Sequence, residues 1–292
     1  MNDFVITTDS GTNLNEYFVN QYDANIINFK VYLDDELFKG SHCEFYKRMK
    51  AGETASTTLI NIAEASDFLE VFLKRRLDII HLSLSSGLSG SYNSFCISRD
   101  LLKEQYPNCK ISIIDSLNSS CGQELLYISA LEMQRRGKTF EEIVSWLLLH
   151  RQEAKLYGTV NNLFFLHRTG RISKTTTVLG TALGVKPILA FNGKPVLHSK
   201  VRGRRNSLHV LSTLVFQKEA IFRKEAIFRN KPILISHADC LPDAKYLSSV
   251  IEEQYFKYNC RVYISEMPLC VASSNGPGAL HIGFLTAKIY SI

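Results

Sequence analysis

Through the first 160 residues one rhythm recurs: a short apolar run, a loop rich in Ser, Thr, Asn and Gly, then a helical stretch. Residues 4–7 read as strand, 8–13 as a turn and 14–21 as helix. Residues 77–82 read as a second strand, and the serine loop after it opens a helix running towards 105. Residues 110–114 form a third strand, 115–122 a loop, and 124–136 a helix ended by Gly137. Between the first two units, Ala55-Ser56-Thr57-Thr58 precedes a helix over 63–75. Strands alternating with helices argue for a parallel sheet covered on both faces.

Beyond about residue 165 the pattern changes. The turn Asn192-Gly193-Lys194-Pro195 separates strand-like runs at 187–191 and 196–200, which predicts a hairpin. A helix over 206–229, a strand at 232–236, a helix at 244–258 and a strand at 261–265 follow. The expectation is an α/β protein of two domains. The first (1–165) holds a parallel sheet covered by helices and the second (166–292) is mixed α/β, with an approximate boundary across which the chain can pass between domains. No Pro/Gly/Ser-rich linker sharpens the boundary. The hexapeptide KEAIFR occurs at 218–223 and again at 224–229. Six residues rotate the second copy by about 120° on a helix, so this is a duplication tolerated in an exposed segment and not a packing period.

Composition narrows the function classes. The net charge of +6 comes partly from two clusters, Arg168/Arg171/Lys174 and Lys200/Arg202/Arg204/Arg205. These read as solvated surface or as a docking patch for an acidic partner. Nucleic-acid binding is disfavoured, because neither interleaved aromatics nor a long basic tail accompanies them. Apolar runs stay short of the roughly 20 residues a membrane helix needs, and no secretory signal is visible, so the cytoplasm is expected. Seven cysteines without a CxxC pair suggest neither a disulfide framework nor a zinc site, but small buried side chains.

The loops carry the chemistry. Parallel α/β sheets bind ligands at the carboxyl ends of their strands, where helix N-termini favour an anion. In LSLSSGLSGS (82–91) the serine hydroxyls add donors, and Gly87 and Gly90 allow close approach and positive φ. Helix capping is the competing reading. A serine nucleophile is disfavoured, since the second glycine of Gly87-Leu88-Ser89-Gly90-Ser91 falls one place early for G-x-S-x-G. Nucleotide-binding glycine fingerprints are absent. Asp9 and Asp115 lack the neighbouring carboxylates that a hard metal wants, and are expected to accept loop N–H groups.

Eight segments in order then carry a resemblance: ITTDSGTNL (6–14), TTLIN (57–61), LSSGLSGSYNS (84–94), IIDSLNSSCG (113–122), NNLFFLHRTGRIS (161–173), GVKPIL (184–189), KVRG (200–203) and NGPGALHIGF (275–284). Along nearly its whole length the chain resembles the DegV family of bacterial fatty-acid-binding proteins. The resemblance implies a long-chain fatty acid in a tunnel between two domains, with no further cofactor and no metal. It also implies a carrier without catalytic residues of its own, presenting the carboxylate to a separate ATP-dependent kinase that makes acyl phosphate for phospholipid synthesis. Carried over, the carboxylate-binding residues are Thr57 with Thr58 beside it, and Ser89 with Ser86 as the alternate. Arg171 and Arg202 match family arginines suited to docking the kinase, or to attracting the acyl phosphate, rather than to binding the chain. Where many relatives place a carboxylate-contacting histidine, this chain has Ser274, which donates a hydrogen bond but brings no charge. His281 stands where a small residue is usual, and Phe29-Lys30 replaces a Pro-Leu-like pair. The alternatives are a stand-alone enzyme acting on a small anion such as a phosphate ester, and a docking protein whose basic face matters more than any ligand.

Overall fold

The structure is a computed structural model that describes residues 4–173, 184–222, 232–255 and 261–286. The chain begins with β1 (Phe4–Asp9), α1 (Glu16–Val19) and β2 (Asn25–Ile27), then makes a small excursion through β3 (Val31–Leu33), β4 (Glu36–Leu37), α2 (His42–Lys50) and β5 (Ala55–Thr57). It continues through α3 (Ile62–Leu73), β6 (Asp78–Ser83), α4 (Ser91–Gln105), β7 (Ile111–Asp115), α5 (Ser120–Arg135) and α6 (Phe140–His150). β8 (Ala154–Thr159), α7 (Phe164–Arg168), β9 (Val185–Phe191) and β10 (Pro195–Arg202) follow. The C-terminal part holds α8 (Arg204–Phe222), β11 (Pro232–His237), α9 (Leu241–Tyr255), β12 (Arg261–Glu266), α10 (Leu269–Asn275) and β13 (Leu280–Leu285).

Three sheets result. The first has the order β2-β1-β6-β7 and is parallel throughout. The second, β10-β9-β8-β13-β11-β12, is mixed, with only β11 and β12 parallel. The third is a short antiparallel set, β4-β3-β5. This is the expected α/β class, with one parallel and one mixed sheet and the hairpin in place.

Helices α3 and α4 cover one face of the parallel sheet around Leu69, Ile79, Phe95 and Ile111. The start of α3 is set locally: the Asn61 side chain accepts from Glu64 N, and the Glu64 carboxylate accepts from Asn61 N. The other face is covered by α5, which also packs on β8, β11 and β13 of the mixed sheet. A helix between two sheets has no solvent face, and Ser120 to Met133 are buried without interruption.

The division expected near residue 165 falls after β8, yet β8 is an inner strand of the mixed sheet, between β9 and β13. The chain has therefore entered the second lobe by Ala154. One of its two strand partners, β13, lies more than a hundred residues ahead, a pairing that leaves no local signal. The small sheet crosses in the opposite sense: Val31, Leu33 and Ala55 share a core with Leu163, Leu166, Met267 and Val271. Lys174, most of the KEAIFR repeat and the end of the expected 206–229 helix lie outside the described residues.

Candidate functional site

The carboxyl ends of β1, β6 and β7 are tied into one surface. Asp9 accepts from Gly11 N (3.0 Å), Gln123 Nε2 (3.0 Å) and Leu84 N (2.6 Å), so one carboxylate joins the first loop, the second loop and α5. Burial pushes the Asp9 carboxyl up to about 6, against the pull of these donors. Asp115 accepts from Ser86 N at 3.1 Å and Leu117 N at 3.0 Å. Ser85 N donates to Asn118 O, and Ser120 N to Gly11 O. Both aspartates thus organise loop N–H groups, as expected.

The serine loop differs from expectation in its glycines. Neither Gly87 nor Gly90 has positive φ. Close approach is what requires Gly87, because a Cβ there would lie 2.7 Å from Gly193 O in the β9–β10 turn. That turn is seated on the loop: Ser85 Oγ donates to Gly193 O, and Gly193 N donates to Leu117 O at 3.0 Å. Gly90, the N-cap of α4, supplies no side-chain cap, and the only serine hydroxyl at the helix start that accepts a helical N–H among the described residues is Ser89 Oγ, from Ser91 N at 3.2 Å. Ser91 Oγ instead accepts from Ile60 N at 2.9 Å and lies 2.9 Å from Ser89 Oγ, joining the loop to the segment after β5.

Between these loops and the second lobe lies a cavity of about 260 Å³. Its apolar wall includes Phe29, Leu84 and Leu88 from the first lobe and Leu166, Phe191 and Val271 from the second. Leu59 lines it while remaining 48% exposed, which marks an opening. Hydroxyls make up most of the polar lining. Thr57, Thr58, Ser89 and Ser274, all expected from the sequence, are on this wall, joined by Ser119 and Asn275. Among the described residues the Thr57, Thr58, Ser119 and Ser274 hydroxyls make no hydrogen bond within the protein. Ser119 was missed as a site residue. Its signal was its place in the third βα loop of the same sheet edge, within the quoted segment IIDSLNSSCG.

Ser86 and the arginines stand elsewhere than expected. Ser86 Oγ donates to Asp115 Oδ2 at 2.5 Å and does not line the cavity, because its loop turns it toward β7. Arg171, expected at a docking surface, is half-buried on the cavity wall, and burial pushes its guanidinium below the usual arginine value. Arg202 is exposed at the end of β10, away from the cavity.

His281 is buried one layer behind the wall. Its Nε2 lies 3.2 Å from Asn275 Oδ1, and burial pushes its imidazole down to about 4, so it is neutral at pH 7. The ring occupies space left by Gly158 on the adjacent strand β8, where a Cβ would lie 2.5 Å from His281 Cδ2. The six described cysteines are free thiols, and Cys43 is exposed where a buried position was expected. Among the described residues no helix is long and apolar enough to cross a membrane.

Fold and site together define a two-lobed α/β protein built around an apolar cavity whose polar lining is mostly hydroxyls, drawn from the carboxyl edge of the parallel sheet, the end of β5 and α10. A family model described as uncharacterised protein, DegV family, matches residues 3–287, and the chain belongs to the DegV family. It is 34% identical over 293 residues to a DegV domain-containing protein of Clostridium perfringens, covering 98% of each chain. Among solved structures it is similar to a fatty acid binding DegV family protein from Streptococcus agalactiae (25% identity, TM-score 0.83, 99% of this chain and 100% of that one). It is likewise similar to DegV, a fatty acid binding protein from Bacillus subtilis (25%, TM-score 0.82, 98% and 100%). A stearic-acid-binding protein from Eubacterium ventriosum shares the fold at 22% identity, with a TM-score of 0.86 over 97% and 98% of the two chains.

Proposed function

We propose that this protein binds a long-chain fatty acid in the cavity between its lobes and holds the carboxylate against Thr57, Thr58, Ser89 and Ser274. The observation that carries the reading is a seam with apolar lining from both lobes and a set of hydroxyls of which Thr57, Thr58 and Ser274 have no protein partner among the described residues. A buried carboxylate needs several donors, and hydroxyls supply them without a competing charge. The acyl chain supplies the affinity: roughly ten buried methylenes contribute about 8 kcal/mol before ordering costs. The relatives described as fatty-acid-binding support the same reading. In this reading the protein is a cytoplasmic carrier with no catalytic group of its own. It presents the carboxylate to a separate ATP-dependent kinase, which forms the acyl phosphate used in phospholipid synthesis. Docking falls to the exposed face that carries Arg202.

Protein purified from bacterial cells should release acyl chains in about equimolar amount when denatured and analysed by mass spectrometry. Repeated preparations free of lipid, together with no uptake of added stearic acid, would sink the proposal.

A further inference from the structure

We infer that Arg168, which does not itself line the cavity, is the positioning residue for the threonine hydroxyls: it fixes β5 against α7 and α10, so that Thr57 and Thr58 serve the same head group as Ser274. The inference rests on the fatty-acid reading and names what holds the binding hydroxyls in place.

β5 is the edge of the small sheet and pairs with β3 only over Ala55, Ser56 and Thr57. Its bonds to the β3 side fall on the even-numbered residues: Thr54 O accepts from Asp34 N at 3.0 Å, and Thr58 N donates to Lys30 O at 3.3 Å. The Ala55 carbonyl therefore points away from β3, along the open edge, and needs a donor from elsewhere. Arg168 supplies it. Its Nη2 donates to Ala55 O at 2.7 Å, a charge-assisted bond two residues before Thr57. The guanidinium is held in turn by Phe165, one turn back on α7, with Cζ 6.0 Å from the ring centre. Phe165 is wedged under the end of α10, where a Cβ at Gly276 (φ 75°) would lie 2.3 Å from Phe165 Cδ2. Ser274 stands on the last turn of that helix, which packs on both β5 and α7. A packed path thus runs from Ser274 through Phe165 and Arg168 to the strand that ends in Thr57.

The state of Arg168 points the same way. It is half-buried, its Nε is buried without a partner, and no carboxylate pairs with it among the described residues. Burial pushes its guanidinium below the usual arginine value. A cation drawn from water to serve one backbone carbonyl is a poor source of stability. What the bond does secure is the place of that carbonyl, beside the binding hydroxyls. A second tie makes the contrast: Lys50 Nζ on α2 donates to Asp239 Oδ2 after β11, joining the same excursion to the second lobe through two exposed side chains and without touching β5.

The test is a double-mutant cycle read by the affinity of delipidated full-length protein for octadecanoic acid. Arg168→Gln should weaken binding by about three- to tenfold. In a background carrying Thr57→Val and Thr58→Val the same change should cost less than about twofold, because the hydroxyls it places are already gone. Arg168→Met, which keeps no donor, should follow the same pattern, so either variant that folds completes the cycle. Arg168→Lys retains a donor for Ala55 O and should recover most of the affinity, while Lys50→Met should leave binding unchanged. Equal losses in both backgrounds overturn the inference, since Arg168 would then act without the threonines. Unchanged affinity in Arg168→Gln overturns it too, as does a lysine variant no better than glutamine or a matching loss in Lys50→Met. Parent protein that takes up no octadecanoic acid overturns the fatty-acid reading itself, so the two failures are distinct.

Discussion

At Asp9 one buried carboxylate faces donors on every side, including backbone N–H groups of Gly11 and Leu84 that cannot turn into acceptors. Although burial raises its pKa to about 6, the carboxylate is still the prevailing form at pH 7. An amide in its place must aim N–H at N–H. Asp9→Asn should therefore cost about 1–3 kcal/mol in urea unfolding at pH 7; an unchanged midpoint would show that these loops do not depend on the clamp. Ser86 and Ser89 illustrate how a three-residue offset divides roles. Ser86 is consumed by Asp115, while Ser89 and Ser91 share a contact that leaves Ser89 on the cavity wall. The resemblance put Ser89 first with Ser86 as the alternate, and the direction of each side chain leaves only Ser89 on the cavity wall.

The element that most shapes the molecule is α5. Lying between two sheets, it buries even Glu124, whose Oε1 accepts from Asn15 N at 2.8 Å while Oε2 has no partner among the described residues. Its approach to β13 is so close that a Cβ at Gly283 would lie 2.5 Å from Cys121 Cβ. Burial pushes the Glu124 carboxyl well above its ordinary value of 4.5. The folded protein then keeps a proton that the unfolded chain releases as pH rises past 4.5. Stability from this group is full below that value and falls as pH climbs, by about 1.4 kcal/mol per unit, until the folded-state value is passed. Glu124→Gln mimics the protonated form. It should flatten that part of the pH dependence between 5 and 7 and be at least as stable as the parent at pH 7, as followed by thermal unfolding across pH. An unchanged slope in the variant would mean that Glu124 is ionised in the fold.

For the whole molecule the joint between lobes is decisive, and Gly87 marks where it closes. The β9–β10 turn sits on the serine loop, and Phe191 and Pro195 on either side of that turn line the cavity with Leu88 and Ser89. Gly87→Ala must displace the Gly193 carbonyl, because the added methyl would lie 2.7 Å from backbone oxygen. We expect a loss of about 1–3 kcal/mol in stability together with weaker acyl-chain binding by fluorescence displacement. Lost stability with unaltered binding would uncouple the joint from the cavity.

Much of this was legible in the chain. The strand–loop–helix rhythm set the parallel sheet, because hydrophobic period and turn chemistry are local properties. The Asn192–Pro195 turn announced its hairpin for the same reason. The hydroxyl-rich loops were readable as one edge, since parallel strands bring their carboxyl ends together. What local pattern does not encode is which distant segment fills a shared space. The membership of β8 in the mixed sheet, the burial of α5 on all sides, the turn of Arg171 into the cavity and the withdrawal of His281 behind Asn275 each depend on partners scores of residues away. They were decided only when the two lobes packed, where steric fit and desolvation act between groups that sequence order keeps apart.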